Sequence, residues 1–190
     1  IEAHHRNAAN TISTFVLSKL NQDKSKKAIC VAGESGSGKS EIATEISLIL
    51  KKNEVSSVCN AGGKMIVSPN VNADVIIETK KLNMRSYPGV FTASECFEAI
   101  QNGSDGLKLF PAFLLGVDGF KALKAVLPPG LLTYAVGGVD PINFADWLAF
   151  GVRGFGIGSY LYKVGDNVSD VGKKAKIIVS AYDNASYERT

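Results

Sequence analysis

Gly33-Glu34-Ser35-Gly36-Ser37-Gly38-Lys39-Ser40 carries the densest potential chemistry in the chain. The stretch fits the phosphate-binding pattern G-x-x-x-x-G-K-[ST] at every fixed position. Gly33, Gly36 and Gly38 let the backbone curl around Ser37 so that successive N–H groups meet one anion, and the positive end of the following helix adds to the attraction. Lys39 would reach the outer phosphates and the Ser40 hydroxyl a magnesium ion. The expected partners are phosphate, sulfate or the phosphates of a nucleotide. Magnesium arrives only with bound ATP or phosphate, and the chain requires no cofactor of its own.

A second constellation lies further along. Gly106-Leu107-Lys108-Leu109-Phe110-Pro111 sets a lysine inside an apolar run, while Ala135-Val136-Gly137-Gly138-Val139 and Gly156-Ile157-Gly158-Ser159 each end an apolar run in glycine. A lysine that loses solvation has a lowered pKa, and its neutral amine can attack a carbonyl to form a Schiff base. Glycines after the last two strands of a βα barrel leave backbone N–H groups for a substrate phosphate. Gly137, Gly138, Gly158 and Ser159 are therefore candidates for a second phosphate site. The same residues can also be read as a surface-reaching lysine and simple tight turns.

The elements that must position these residues follow from periodicity. Ala8, Ile12, Phe15, Val16 and Leu20 form one apolar stripe, which predicts an amphipathic helix over about 7–21. The wholly apolar run Ala28-Ile29-Cys30-Val31-Ala32 suits a strand of a parallel sheet covered on both faces. A helix opens at Lys39 and continues through Val55, Val58 and Cys59 until Gly62 and Gly63 stop it. Beyond it a rhythm of strand, turn and helix sets in. Strands are expected at Met65–Ser68, Arg85–Tyr87, Gly106–Phe110, Leu132–Val136 and Gly154–Ile157, with helices near 72–83, 93–102, 117–127, 141–150 and 167–183. Thr92-Ala93-Ser94-Glu95 makes a capping box, Asp140 with Pro141 starts the helix near 141–150, and Gly103 and Gly151 follow helix ends. Together with 28–32 this makes six strands.

Composition narrows the class. With 190 residues, 45% hydrophobic, 21% charged and 19 glycines, the chain reads as a globular α/β protein. No apolar run approaches the ~20 residues of a membrane span, so no membrane partner is expected. The beginning, Ile1-Glu2-Ala3-His4-His5-Arg6, lacks the apolar core of a signal peptide, which places the protein in a reducing cytoplasm. Cys30, Cys59 and Cys96 are widely spaced and read as reduced, buried thiols. A net charge of +3 is too small to argue for nucleic acid, and no nucleic-acid-binding motif accompanies it.

Two resemblances attach to these residues. Residues about 55–183 resemble the later half of the 2-keto-3-deoxy-6-phospho-sugar aldolases, closest to the phosphogalactonate branch. The segments that carry the resemblance are 60–70, Tyr87-Pro88-Gly89-Val90, Leu107-Lys108-Leu109-Phe110-Pro111, 121–128, Ala135-Val136-Gly137-Gly138-Val139 and Gly156-Ile157-Gly158-Ser159. The resemblance implies five βα units of a TIM barrel, Lys108 as Schiff-base lysine, and Gly137, Gly138, Gly158 and Ser159 on the substrate phosphate. Residues 1 to about 53 resemble the start of uridine kinase and phosphoribulokinase type phosphotransferases, on the strength of 28–41.

The expected fold is thus one composite α/β domain with a parallel sheet of about six strands, curled like most of a TIM barrel, with an open doubly wound sheet as second choice. Its open edge would allow a homodimer. The family's proton-transfer glutamate and carboxylate-binding arginine sit on its first two strands, for which the sequence shows no counterpart. The first functional reading is therefore a recombined chimeric scaffold, joined near Asn53, that keeps a phosphate-binding loop and has no native turnover. The alternatives are a class I aldolase acting through Lys108 on a phosphorylated 2-keto-3-deoxy sugar acid and, third, a small-molecule kinase.

Overall fold

The computed structural model describes residues 52–60, 63–163 and 165–187. The helix expected over 7–21, the strand 28–32, Cys30 and the loop residues Gly33, Gly36, Ser37, Gly38, Lys39 and Ser40 lie outside the described residues. In chain order the elements are α1 (Lys52–Asn60), β1 (Met65–Val67), α2 (Ala73–Lys81), β2 (Arg85–Tyr87), β3 (Gly89–Val90), α3 (Ala93–Gln101) and β4 (Leu107–Leu109). They continue with α4 (Ala112–Lys124), β5 (Thr133–Val136), α5 (Phe144–Ala149), β6 (Gly154–Gly156) and α6 (Val168–Tyr187).

Every strand pairing is parallel, β1 with β2 and then β3, β4, β5 and β6 in sequence order. β2 is the expected strand Arg85–Tyr87, and the short β3, not expected from the sequence, follows it after Pro88, which has no N–H to give a ladder. Backbone bonds nevertheless join the two sheets. Asp105 N–H, in the turn before β4, donates to the Ser86 carbonyl of β2 at 2.9 Å, and Lys108 N–H of β4 donates to the Pro88 carbonyl at 2.9 Å.

Strand order without reversal separates the two expected architectures. A doubly wound sheet reverses its order at a switch point, whereas a barrel adds each strand beside the last. Burial agrees with the barrel-like arrangement. Val90, Leu107, Leu109 and Ala135, from three neighbouring strands, join one buried cluster with Ala112 and Phe120 of α4, Phe144 and Trp147 of α5 and Ile178 of α6. A smaller cluster of Val55, Ile66, Val75 and Met84 joins α1, β1 and α2. The helices therefore cover one face of the sheet, and the second-choice doubly wound sheet, which needs helices on both, is set aside.

Local signals explain most boundaries. α2 starts where the Asn72 side chain accepts from Val75 N–H at 3.3 Å, with Asp74 in its first turn and Lys80 and Lys81 in its last, each matched to the helix dipole. α3 has the expected capping box of Thr92 and Glu95. Gly103 and Gly151 follow helix ends with φ of +88° and +98°, as expected of glycine at that position. One expectation needs correction. Asp140 does not start the helix near 141–150: its carboxylate accepts from Ile142 N–H at 2.9 Å in a preceding turn, and α5 begins after Asn143. The helix expected near 117–127 is the second part of α4: Gly116, at φ +65° and ψ 170°, is non-helical and separates a first turn over 112–115 from the helix that runs on to Lys124.

One polar knot fixes the approach to β4. Lys80 Nζ bonds both carboxylate oxygens of Asp105 at 2.7 Å, and Asp105 also accepts from Ser86 N–H at 2.8 Å. The ion pair is about a third exposed, so its charge contribution is modest, but the shared carboxylate ties α2, β2 and the turn before β4 together.

Candidate active site

Lys108 is the central residue of β4. Side chains alternate across a strand, so the commitment of Leu107 and Leu109 to the helix-covered core turns Lys108 to the opposite face. There it is only 4% exposed. Parallel register sets Gly89 beside it on one side and Tyr134 on the other, with Gly154 beyond Tyr134. Gly89 is required by close approach: a Cβ there would lie 2.3 Å from the Pro69 carbonyl oxygen. The face carrying Lys108 is thus built from a tyrosine, two glycines and a backbone carbonyl.

Aromatic rings complete this surface. Lys108 Nζ lies 4.5 Å from the centre of the Phe110 ring, and the Tyr87 and Tyr134 rings meet edge to face at 5.3 Å. Burial removes water that would solvate an ammonium, while the ring face of Phe110 attracts the same charge. Burial pushes the Tyr134 hydroxyl above the ordinary phenol range, and the charge and hydrogen bond of Tyr87 add to the shift.

Phe110 also connects Lys108 with the glycine turn after β5. A Cβ on Gly137 would stand 3.2 Å from the Phe110 ring, and one on Gly138 would stand 2.5 Å from the Phe113 Cβ. Both glycines have positive φ, +89° and +72°. The turn therefore needs glycine for its backbone conformation and for its close packing alike.

The turn after β6 comes up beside the turn after β5. A cavity of about 190 Å³ is lined by Gly138, Val139, Asp140, Ser159, Tyr160 and Lys163. The Gly158 carbonyl accepts from Leu161 N–H at 3.0 Å and Tyr162 N–H at 3.1 Å, closing one turn at whose start Ser159 and Tyr160 stand. N–H groups at the start of such a turn have no partner within it. The structure thus gathers Gly138 and Ser159, named from sequence, around one cavity, with Gly137 and Gly158 next to them in the chain. Lys108 is joined to that region through Phe110.

Tyr87, Tyr134, Phe110 and Lys163 were not singled out from the sequence. Tyr134 was legible in principle, since it lies two residues before Val136 on the strand that ends in Gly137. Lys163 follows Ser159 by four residues in the same connection. Among the described residues, no group of His, Cys, Asp or Glu side chains is arranged to hold a metal ion, and no helix is long and apolar enough to cross a membrane.

The family model for KDPG and KHG aldolase matches residues 20–175. A probable 2-dehydro-3-deoxy-6-phosphogalactonate aldolase of Rhizobium meliloti is 45% identical over 71% of this chain, and the chain spans 64% of that relative's length. The 2-dehydro-3-deoxy-6-phosphogalactonate aldolase of Escherichia coli is 40% identical over 72% of the chain and 67% of its own length. A solved structure described as native KDPGal superposes with a TM-score of 0.72 at 39% identity, covering 74% of this chain and 68% of that one. The family match runs through residue 53 and takes in residues 33–40 as part of a single span. It favours the aldolase alternative over the first functional reading, a chimeric scaffold without turnover, and gives no support to a kinase-derived segment.

Proposed function

Because this chain belongs to the KDPG and KHG aldolase family, we propose that it is a class I aldolase whose Lys108 forms a Schiff base with a phosphorylated 2-keto-3-deoxy sugar acid. The observation that carries this reading is the position of Lys108. It is buried on the helix-averted face of β4, in register with Tyr134, and Phe110 joins it to the glycine turn that would receive the phosphate.

In the proposed reaction the Lys108 amine adds to the C2 carbonyl, and the carbinolamine loses water to give a protonated imine. The imine draws in the electron pair of the C3–C4 bond as the C4 hydroxyl loses its proton to a base. That bond breaks, a three-carbon phosphorylated aldehyde leaves, and an enamine remains on the lysine. Protonation of the enamine carbon and hydrolysis release pyruvate and regenerate the amine. Gly137, Gly138, Gly158 and Ser159 hold the phosphate through backbone N–H groups and the Ser159 hydroxyl, which orients the bond to be broken.

The reading is tested by following pyruvate release from 6-phosphorylated 2-keto-3-deoxygalactonate and its gluconate epimer, coupled to NADH oxidation by lactate dehydrogenase. Release by the wild-type chain and a loss of about a thousandfold or more in Lys108→Met are expected. No release from either epimer would overturn it.

A further inference from the structure

We infer that Lys163 is the cationic residue of the phosphate subsite, a contact that determines preference for a phosphorylated over an unphosphorylated substrate; this rests on the aldolase reading. The cavity shared by Gly138 and Ser159 has two charged residues in its lining, Asp140 and Lys163. A phosphate dianion held there by neutral N–H groups alone would face the Asp140 carboxylate unopposed, and like charges at such range are destabilising. The Asp140 carboxylate is occupied with Ile142 N–H, which keeps it in the turn after β5. Lys163 supplies the opposite charge.

The placement of Lys163 is fixed by its own turn. Its N–H donates to Asp166 Oδ2 at 2.7 Å, and Asp166 N–H donates to the Lys163 carbonyl at 3.0 Å. This closed loop holds the Lys163 backbone at the cavity while the side chain stays exposed. The nearby Asp166 carboxylate has its own cation, because Lys174 Nζ meets it at 2.5 Å. Of the charged groups around this turn, Asp166 is paired directly with Lys174, while Lys163, whose charge also reaches Asp166, is the cationic residue in the cavity lining beside Asp140. A lysine suits this task as a point charge on a flexible stem that can follow a phosphate during product release.

The test measures binding of inorganic phosphate to the full chain by calorimetry, in the wild type and in Lys163→Ala, Lys163→Arg and Lys173→Ala. Lys163→Ala should weaken binding about tenfold, as expected for loss of one exposed charge-assisted contact. Lys163→Arg should restore affinity to within about threefold, and Lys173→Ala, an exposed lysine elsewhere on α6, should match the wild type. The KM for a 6-phosphorylated 2-keto-3-deoxy sugar acid should rise with the phosphate Kd while kcat moves less. Unchanged phosphate affinity in Lys163→Ala, or no phosphate binding by the wild type, overturns the inference. Failure of the aldolase reading has a different signature: phosphate binding that depends on Lys163 in a protein that forms no imine with pyruvate.

Discussion

Lys108 and Tyr134 stand opposite one another on adjacent parallel strands, both turned to the face of the sheet that the helices leave uncovered. Tyr134 in turn meets Tyr87 edge to face, so the lysine borders an aromatic wall and not open solvent. The surroundings of the amine are therefore set by strand register, and a slip of one residue would send Lys108 into the helix-covered core.

This wall makes the Tyr134 phenol hard to ionise, first because it is buried and then because of the charge and hydrogen bond of Tyr87. A folded-state pKa above the unfolded value gives stability that is fully present below the ordinary phenol range and is lost as pH rises through the raised value. In an ultraviolet titration of the native protein, the tyrosinate signal removed by Tyr134→Phe should be a component that titrates above free tyrosine. A missing component at or below the ordinary value would contradict the packing described.

The helix between β3 and β4 depends on its cap. Burial alone would raise the Glu95 carboxyl, but bonds from the Phe91 and Thr92 N–H groups and the Thr92 hydroxyl outweigh it and hold the carboxyl below its ordinary value. A lowered folded-state value gives stability that is present above the ordinary glutamate range and is lost as pH falls through the lowered value. Thr92→Ala should cost about 1 kcal/mol in urea unfolding at pH 7. Glu95→Gln should flatten the acid limb of the stability profile, and an unaltered limb would show that the box contributes nothing.

Cys96 and Cys59 should differ in reactivity. Cys96 is fully buried, and burial followed by the charge of Glu95 pushes its thiol up to about 11. Its contribution to stability is present below the unfolded thiol value of about 8.5 and is lost as pH rises through the raised one. Peptide mapping after brief iodoacetamide treatment at pH 8 should find Cys59, which is half-buried, modified well before Cys96. Equal labelling would mean that α3 opens readily from the core.

Periodicity made the repeated strands and helices legible, since Leu107, Leu109 and Ala135 alternate as strand residues must and the glycines at 103 and 151 stop helices by geometry alone. The glycine turns and Lys108 were legible for the same reason, their residue types being unusual inside apolar runs. What a linear reading could not supply was register. Only the pairing of β4 with β5 sets Tyr134 beside Lys108, and only the folding of two separate turns toward one cavity brings Lys163 to Gly138. Asp140 misled because a capping carboxylate serves a turn as well as a helix. The loop at 33–40 had the strongest local pattern of all, yet the family match takes it into a single span over residues 20–175.

The central claim is an imine at Lys108, and borohydride trapping tests it most directly. The full chain would be incubated with pyruvate and sodium borohydride, then analysed by intact mass and peptide mapping. The account predicts one covalent reduced pyruvate adduct, located on Lys108 and abolished in Lys108→Met. An unmodified protein, or an adduct at another lysine that persists in Lys108→Met, would contradict it.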